Sequence, residues 1–233
     1  MKGNTMAKNV VITGAGGALG RLVVKRFLDD GARVAAAVRD LKKWSEGDGR
    51  AARVFSADLT REDQVDRLME EIVSALGSID VLINAAGGYS GGAPVAETSA
   101  EQWDRMMALN LRSVFLCCRA AMRHMSRDGG GVILTVSAMA ALSPGPNRAA
   151  YLVSKAGVIA LTRALAAEGK NAGVRVNSVA PSIIRTEANL AAMPDMDAAK
   201  WVDPVRIAET LLFLCRDEAA DITGSIIEMP GRL

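Results

Sequence analysis

The chain has 233 residues, of which 50% are hydrophobic and 23% are charged, and its formal net charge is +2. This length suits one large α/β domain or two small ones, and the scattered, nearly balanced charge argues against nucleic acid or a membrane surface as a partner. The three cysteines and one histidine argue against a disulfide framework, a metal site and a Ser-His-Asp triad. Because the start of the chain is polar and no apolar run has membrane-spanning length, we expect a cytoplasmic protein.

Strand-like and helix-like stretches alternate along the chain after residues 1–7, which we expect to form a flexible tail. The first strand is followed at once by a glycine-rich turn and by a helical stretch over 19–30 that closes at Gly31. Several of the strand-like stretches are continuous apolar runs, which is typical of strands covered on both faces. The predicted strands are 9–13, 33–38, 53–56, 79–84, 132–137, 174–179 and 225–229.

The alternation of strands and helices predicts one Rossmann-type α/β domain over 1–233, with a doubly wound parallel sheet of about seven strands and helices on both faces. No proline-rich linker or internal repeat divides the chain. Capping patterns predict the N-termini of three helices, at Thr60 with Asp63, at Thr98 with Glu101, and at Asp203 followed by Pro204.

The segment from Gly14 to Gly20 (Gly-Ala-Gly-Gly-Ala-Leu-Gly) stands between the first strand and the first helix. Strand, glycine-rich turn and helix form the context that a dinucleotide fingerprint requires. Glycines let the backbone approach a pyrophosphate, which then lies on the free N–H groups of the helix start. A flexible glycine loop is the alternative, but the position in the first strand–helix unit favours nucleotide binding.

Other polar or turn-forming residues come at the carboxyl ends of later predicted strands. Asp58 follows the third strand, Asn84 the fourth, Ser137 the fifth and Pro181 the sixth. Ligands of open parallel sheets bind outside the carboxyl ends of the strands. The sequence therefore predicts that these residues and the glycine turn share one site.

Tyr151 and Lys155 stand four residues apart in a helical stretch, so their side chains project from the same face. A nearby cation favours the phenolate, which predicts a lowered pKa for Tyr151 and proton exchange with a substrate oxygen near neutral pH. Such pairs also arise by chance on ordinary helices, so the pair gains meaning from the nucleotide-binding context.

With these residues the chain resembles the short-chain dehydrogenase/reductase family over essentially its whole length. The motifs on which the resemblance rests are Thr13-Gly-Ala-Gly-Gly-Ala-Leu-Gly20, Asn84-Ala-Ala-Gly87, Val176-Asn-Ser-Val-Ala-Pro181, Thr223-Gly224 and the Tyr151/Lys155 pair. The resemblance implies a nicotinamide-dependent oxidoreductase in which Tyr151 is the acid/base and Lys155 lowers its pKa and binds the nicotinamide ribose. It implies that Ser137 donates a hydrogen bond to the substrate oxygen and that Asn110 holds a water for proton relay, although Asn110 could instead bond a neighbouring backbone carbonyl.

The chain departs from the family pattern at several positions. Ala18 stands where a glycine is usual, Ser182 replaces the glycine after Pro181, and the Ser137-to-Tyr151 spacing is one residue longer than is common. A narrower similarity, to quinonoid dihydropteridine reductases, lies in the glycine turn, in Ala86-Gly-Gly-Tyr-Ser-Gly-Gly92 and in Met193-Pro-Asp-Met-Asp-Ala-Ala-Lys-Trp201. Those enzymes usually lack the serine that is present here as Ser137, so a reductase of that type using NADH is the second reading, and a non-catalytic nucleotide-binding regulator is the third.

The choice of cofactor depends on the end of the second strand. Val38 stands where NAD-selecting members place an acid, and Arg39 could pair with a 2′-phosphate, so NADP(H) is favoured. Asp40 keeps NAD(H) as the alternative. The residues expected to bind the cofactor are Gly14, Gly16, Gly17, Ala18, Leu19, Gly20, Arg39, Asp58, Leu59, Asn84, Ala85, Gly87, Tyr151, Lys155, Pro181, Ile184 and Thr186.

Residues 183–200 are expected to form a lid over a small carbonyl or alcohol substrate, and a helix packed on the core is the alternative. The methionines and the leucine of this segment favour an apolar or ring-shaped substrate part. Tyr89 and Trp201 are further candidate substrate contacts. The resemblance also implies a homodimer or homotetramer that pairs through the helices around Asn110 and Tyr151.

Overall fold

The computed structural model describes residues 8–44 and 52–232, so the tail expected at 1–7 lies outside the described residues. These residues contain one sheet of seven parallel strands in the order β3-β2-β1-β4-β5-β6-β7. The sheet is flanked by helices on both faces, and the predicted doubly wound fold is confirmed. The strands are β1 (Asn9–Thr13), β2 (Arg33–Val38), β3 (Arg53–Ser56), β4 (Val81–Asn84), β5 (Gly131–Val136), β6 (Val174–Pro181) and β7 (Ile226–Met229).

The helices occupy the stretches between the strands. A π-helical turn, Ala108–Arg112, joins α3 to α4 and carries Asn110, which the sequence analysis placed in an ordinary helix. The helices are α1 (Ala18–Asp29), α2 (Glu62–Leu76), α3 (Ala100–Met107), α4 (Ser113–Asp128), α5 (Ala149–Gly169), α6 (Glu187–Ala192) and α7 (Pro204–Leu214).

The sheet separates two apolar layers because alternate side chains of each strand point to opposite faces. Val11 packs with residues of α2, α4 and α5 on one face, whereas Val10 and Ile12 pack with residues of α1 and α7 on the other. Continuous apolar strands are therefore buried on both faces, as their sequence predicted.

Two of the three expected helix starts are wrong. Helix α2 begins at Glu62 with Arg61 as its N-cap, because Thr60 is hydrogen-bonded to Asp58 in the preceding turn. Helix α3 is capped by Ser99 rather than by Thr98. The third is confirmed, since the Asp203 side chain accepts from the Val205 N–H with Pro204 at the first helical position.

Helix α5 corrects the expectation about apolar runs. The stretch 149–172 is long and apolar enough to cross a membrane, with a mean hydropathy of 1.3 in its most apolar window. In the fold this helix lies against β5 and β6, with Val158 and Leu165 in the core. Its apolar character follows from that packing.

Strands β1 and β4 are neighbours in the centre of the sheet, although β2 and β3 lie between them in sequence. The chain reverses its direction of winding between them, and a crevice forms outside the carboxyl ends of the strands at such a point. The glycine turn after β1 and the loop after β4 both border this crevice.

Candidate active site

The glycine turn after β1 makes close backbone contacts that only glycine allows. Gly14 has a φ of +65°, and a Cβ there would lie 2.6 Å from the Ala86 Cα. A Cβ on Gly20 would overlap the carbonyl oxygen of Gly14. These two glycines bring the start of α1 against the loop after β4. By contrast, a Cβ on Gly16 would lie at an ordinary distance of 3.6 Å from Val38 Cγ1, so the turn lies near the end of β2.

The first turn of α1 forms one wall of the crevice. Gly17 is its N-cap, no side chain caps it, and no acidic residue lies in the first turn. The unpaired N–H groups and the positive end of the helix dipole make such a turn an anion site. Ala18, Leu19 and Gly20 line the crevice, and the exposed Ala18 shows that a methyl group is accommodated there. These residues therefore fit the diphosphate of a dinucleotide.

The loop after β4 is fixed to the turn after β1. The Ala86 N–H donates to Thr13 Oγ1 at 3.3 Å. Asn84 is buried, donates to Cys118 Sγ at 3.3 Å and does not line the crevice, whereas Ala85 and Gly87 do. Asn84 thus supports the end of the strand from behind.

Asn110 is fully buried and holds the same loop through its side chain. Its Oδ1 accepts from the Gly88 N–H at 2.8 Å, and its Nδ2 donates to the Gly88 carbonyl at 3.0 Å and to Ser154 Oγ at 3.1 Å. Ser154 Oγ donates in turn to the Tyr151 carbonyl at 2.7 Å. The side chain of Asn110 therefore positions Gly88 relative to α5, and its expected role as a water holder stays a prediction.

The crevice is a cleft of about 680 Å³. Ser137, Tyr151 and Lys155 line it together with the glycine turn, so the structure brings three of the four expected catalytic residues into one cavity. Asn110 lies behind the wall rather than in it. Of the expected cofactor residues, Gly14, Gly17, Ala18, Leu19, Gly20, Ala85, Gly87, Pro181, Ile184 and Thr186 also line the cleft.

Ser137 follows β5 directly and is almost completely buried. Its Oγ donates to the Val179 carbonyl at 3.1 Å and accepts from Ser178 Oγ at 3.0 Å. The hydroxyl is therefore held in place by β6, and it would have to turn from Val179 to donate to a ligand.

Lys155 is buried at the centre of the cleft. Its Nζ donates to the Val136 carbonyl at 2.8 Å and would lie 3.3 Å from a Cβ on Gly87. Burial lowers the pKa of Lys155 to about 8. The ammonium group has further protons to offer to ligand hydroxyls, because an ammonium carries three donors.

The predicted acidity of Tyr151 is wrong for the protein without its ligands. Burial, reinforced by the neighbouring Tyr89, raises the pKa of Tyr151 to about 12, although Arg148 acts in the opposite direction. The physical reason is that desolvation of the phenolate outweighs the charges around it. The Lys155 ammonium, which the sequence analysis assigned to this task, donates instead to Val136.

The expected cofactor-selecting residues lie at the ends of β2 and β3, outside the cleft lining. Arg39 is exposed and forms no salt bridge with any residue that the structure describes. Asp40 accepts from the Lys42 N–H at 3.0 Å and so caps the turn that follows it. Gly16, although outside the lining too, contacts the last residue of β2, which places Arg39 next to the glycine turn.

Asp58 accepts from the Thr60 hydroxyl at 2.7 Å and from the Thr60 N–H at 3.0 Å. These two hydrogen bonds, with smaller contributions from Arg39 and Arg61, lower the pKa of Asp58. Asp58 therefore caps the turn before α2, and Leu59 beside it packs on the apolar core.

The segment 183–200 borders the other side of the cleft. The backbone of Ile183–Arg185 pairs with Val202, and Thr186 caps the short helix α6 by accepting from the Asn189 N–H at 3.3 Å. Asn189 and Met193 face the cleft, whereas most of the segment is exposed. The expected contact Trp201 is buried and does not line the cleft.

The sequence analysis missed Arg148, Met139 and Gly88 as lining residues, and it named Tyr89 only as a candidate. Tyr89 packs edge-on against Tyr151, with ring centroids 5.0 Å apart. Met139 carries no signal in the sequence alone.

Known proteins resemble this chain in both sequence and fold. Residues 8–197 match the family described as short chain dehydrogenase. The D-threitol dehydrogenase of Mycolicibacterium smegmatis is 33% identical over 96% of this chain and 92% of its own length. A short-chain type dehydrogenase/reductase from Mycobacterium ulcerans superposes with a TM-score of 0.91 at 26% identity over 98% of this chain and 90% of that one. The structure of ElxO with NADP bound superposes with a TM-score of 0.89 at 27% identity, over 97% and 98%.

The family match covers most of the chain, the relatives are dehydrogenases and reductases, and the cleft holds Ser137, Tyr151 and Lys155 with most of the glycine turn. The protein therefore belongs to the short-chain dehydrogenase/reductase family and is an NAD(P)-dependent oxidoreductase.

Proposed function

We propose that the protein transfers a hydride between NADP(H) and a carbonyl or alcohol substrate, with Tyr151 as the proton donor and acceptor. The observation that carries this proposal is the presence of Ser137, Tyr151 and Lys155 in one cleft with an uncapped glycine turn. The bound nicotinamide would supply the hydride in reduction and accept it in oxidation.

In the direction of reduction, the carbonyl carbon gains the hydride and the carbonyl oxygen gains a proton from the Tyr151 hydroxyl. The raised pKa of Tyr151 keeps the phenol protonated at neutral pH, which supports its role as an acid. Ser137 would donate to the same oxygen as negative charge develops on it. Lys155 would hold ribose hydroxyls and, through its charge, ease the loss of the Tyr151 proton.

We expect the purified protein to oxidise NADPH in the presence of at least one member of a panel of aldehydes and ketones. Replacement of Ser137 by alanine should lower kcat by about 10²-fold, because one donor to the developing oxyanion is lost. The control is NADPH affinity, measured by fluorescence titration, which should be the same in the variant as in the wild type. Strong activity with a quinonoid dihydropterin and NADH, with weak use of NADPH, would replace this proposal by the pteridine one.

The preference for NADP(H) over NAD(H) belongs to the proposal. It is supported by the free, exposed guanidinium of Arg39 and by the engagement of the Asp40 carboxylate in its own turn. A planar guanidinium suits a 2′-phosphate, and an acid that caps a turn is less available to a ribose hydroxyl. The NADP bound to ElxO, a structural relative, agrees with this choice.

Charge reversal by Arg39→Glu should lower the ratio of NADPH to NADH affinity by roughly 10- to 100-fold, as a charge-assisted pair becomes a repulsion. The matched control is Arg67→Glu, an exposed arginine on α2 whose reversal changes the net charge equally. Equilibrium titration of both cofactors measures the ratio. If Arg39→Glu and Arg67→Glu give the same ratio as the wild type, Arg39 does not select the cofactor.

Four broader features complete the proposal. The whole chain would act as one domain, as its single sheet supports, and residues 183–200 would close over the substrate, since α6 is short, exposed and edges the cleft. Assembly as a homodimer or homotetramer is supported by the exposed Phe115 and Val153 on α4 and α5, and a sedimentation mass of one chain would exclude it. A cytoplasmic location is supported by the three buried, free cysteines.

A further inference from the structure

Arg148 is one of the residues that line the cleft. It occupies the N-cap position of α5, three residues before Tyr151, and its side chain is half-buried. Among the residues that the structure describes, none forms a salt bridge or a side-chain hydrogen bond with it. A guanidinium that is partly withdrawn from water and left unpaired costs free energy, which a bound anion would recover.

The charge of the cleft points to the same kind of ligand. Its described lining contains two cations, Arg148 and Lys155, and no aspartate or glutamate. Lys155 donates to the Val136 carbonyl beside Gly87. Arg148 lines the same cleft as Tyr89 and Tyr151, whose rings pack edge-on against each other. The uncapped start of α1 provides a separate place for the phosphates of a cofactor. The second cation is therefore left for the substrate.

The backbone before Arg148 is built to place its side chain. Asn147 has a φ of +63° and is the single non-glycine residue with a positive φ in 8–44 and 52–232. Its carbonyl accepts from the Gly92 N–H at 2.7 Å, which ties this turn to the loop that carries Tyr89. The Arg148 guanidinium lies over this turn, since a Cβ on Gly145 would be 2.5 Å from its Nη2. Uncommon backbone conformations of this kind concentrate at functional sites.

We propose that Arg148 binds an anionic group of the substrate, so that the enzyme acts on oxo acids or phosphorylated ketones and on the matching hydroxy compounds. The guanidinium fork would hold a carboxylate or phosphate while the carbonyl oxygen rests at the Tyr151 hydroxyl. Tyr89 would cover the apolar part of the same substrate. This inference rests on the proposed function and names the substrate class of that site.

Binding and turnover can be measured separately, so that the two ideas can fail separately. Protein saturated with NADP⁺ cannot reduce a ketone, and calorimetry then reports ketone binding alone. The probes are matched pairs that differ in one charge-bearing group: 2-oxobutanoate, acetoacetate and levulinate against their amides, and dihydroxyacetone phosphate against dihydroxyacetone. The carboxylate pairs and the phosphate pair identify which anion is recognised.

We expect the wild type to bind the anionic member of at least one pair at least tenfold more tightly than its neutral partner. Arg148→Met keeps the apolar stem of the side chain and should weaken binding of that anion by roughly 10- to 100-fold, with the neutral partner and NADPH changed by less than about threefold. Arg148→Lys should retain part of the preference. Arg163→Met, which removes an exposed arginine from the same helix, is the control for lost net charge.

The other outcomes overturn the inference. Equal binding of the anionic and neutral members of every pair by the wild type would show that the site does not recognise an anionic group. An equal loss of both partners in Arg148→Met, with a shifted pH profile of turnover, would assign Arg148 to the acidity of Tyr151 instead. Weaker NADPH binding alone would assign it to the cofactor. If no carbonyl is reduced by NADPH while the anion preference in binding persists, the proposed function fails and the anion site stands.

Discussion

Replacement of Tyr151 by phenylalanine is expected to lower kcat for carbonyl reduction by about 10³-fold. The phenol lines the same cleft as Ser137 and Lys155, and its raised pKa of about 12 makes it a group that keeps its proton until the transition state requires it. Phenylalanine has the same ring, so the edge contact with Tyr89 at 5.0 Å can persist. Steady-state kinetics with NADPH and the best carbonyl of the panel measure the effect.

The accompanying measurement is cofactor affinity, because a loss of hydroxyl chemistry should leave the NADPH dissociation constant within about twofold. A thermal unfolding curve shows whether the variant is folded. Equal turnover by Tyr151→Phe and the wild type would remove Tyr151 from the proton transfer and, with it, the main step of the proposed reaction.

Replacement of Lys155 by methionine is expected to abolish most turnover and, at the same time, to stabilise the protein at neutral pH. The buried ammonium donates to the Val136 carbonyl, but burial lowers its pKa from 10.5 to about 8. Each pKa unit corresponds to about 1.4 kcal/mol, so the charge costs roughly 3 kcal/mol at pH 7, from which about 1 kcal/mol is subtracted for the lost hydrogen bond. A net gain of about 2 kcal/mol should raise Tm by several degrees.

The pH dependence of this gain has a definite sign. Between pH 8 and pH 10.5 the unfolded chain holds a proton on Lys155 that the folded chain has released. The wild type therefore becomes more stable relative to the methionine variant as pH rises through this window, and the advantage of the variant should shrink. Denaturant unfolding at pH 7, 9 and 10.5 measures it. A variant less stable than the wild type at pH 7, or a difference that does not change with pH, would show that the ammonium is not penalised by burial.

Most of the strands could be predicted closely because they are apolar runs bounded by turn residues. Strands β1, β2 and β3 have the predicted limits, and β6 extends two residues further, to Pro181, because β7 pairs with it there. The helix starts at Thr60 and Thr98 were wrong because both threonines are engaged in the turns before the helices. Local capping patterns cannot show which of two adjacent polar residues faces the N–H groups.

The glycine turn, Ser137, Tyr151 and Lys155 could be assigned to one cleft because the carboxyl ends of parallel strands share an edge. The pKa of Tyr151 could not be predicted. The sequence shows which charged residues are near the phenol but not how much water is excluded from it. Arg148 and Tyr89 were undervalued for a similar reason. Their place beside Tyr151 depends on the left-handed Asn147 and on its contact with Gly92, which no local pattern announces.

The hydrogen bonds from Asn110 to Gly88 and to Ser154 connect three segments that fold from distant parts of the chain. An apolar residue in place of Ser154 would remove one partner of the buried Asn110 amide, and an apolar residue in place of Asn110 would leave the Gly88 N–H and carbonyl without these hydrogen bonds. A lineage that altered one of these positions would be under selection to alter the others. Positions 110 and 154 should therefore drift as a linked pair, while the solvent-facing tip of the Tyr89 loop is free to diversify and to adapt the enzyme to new metabolites.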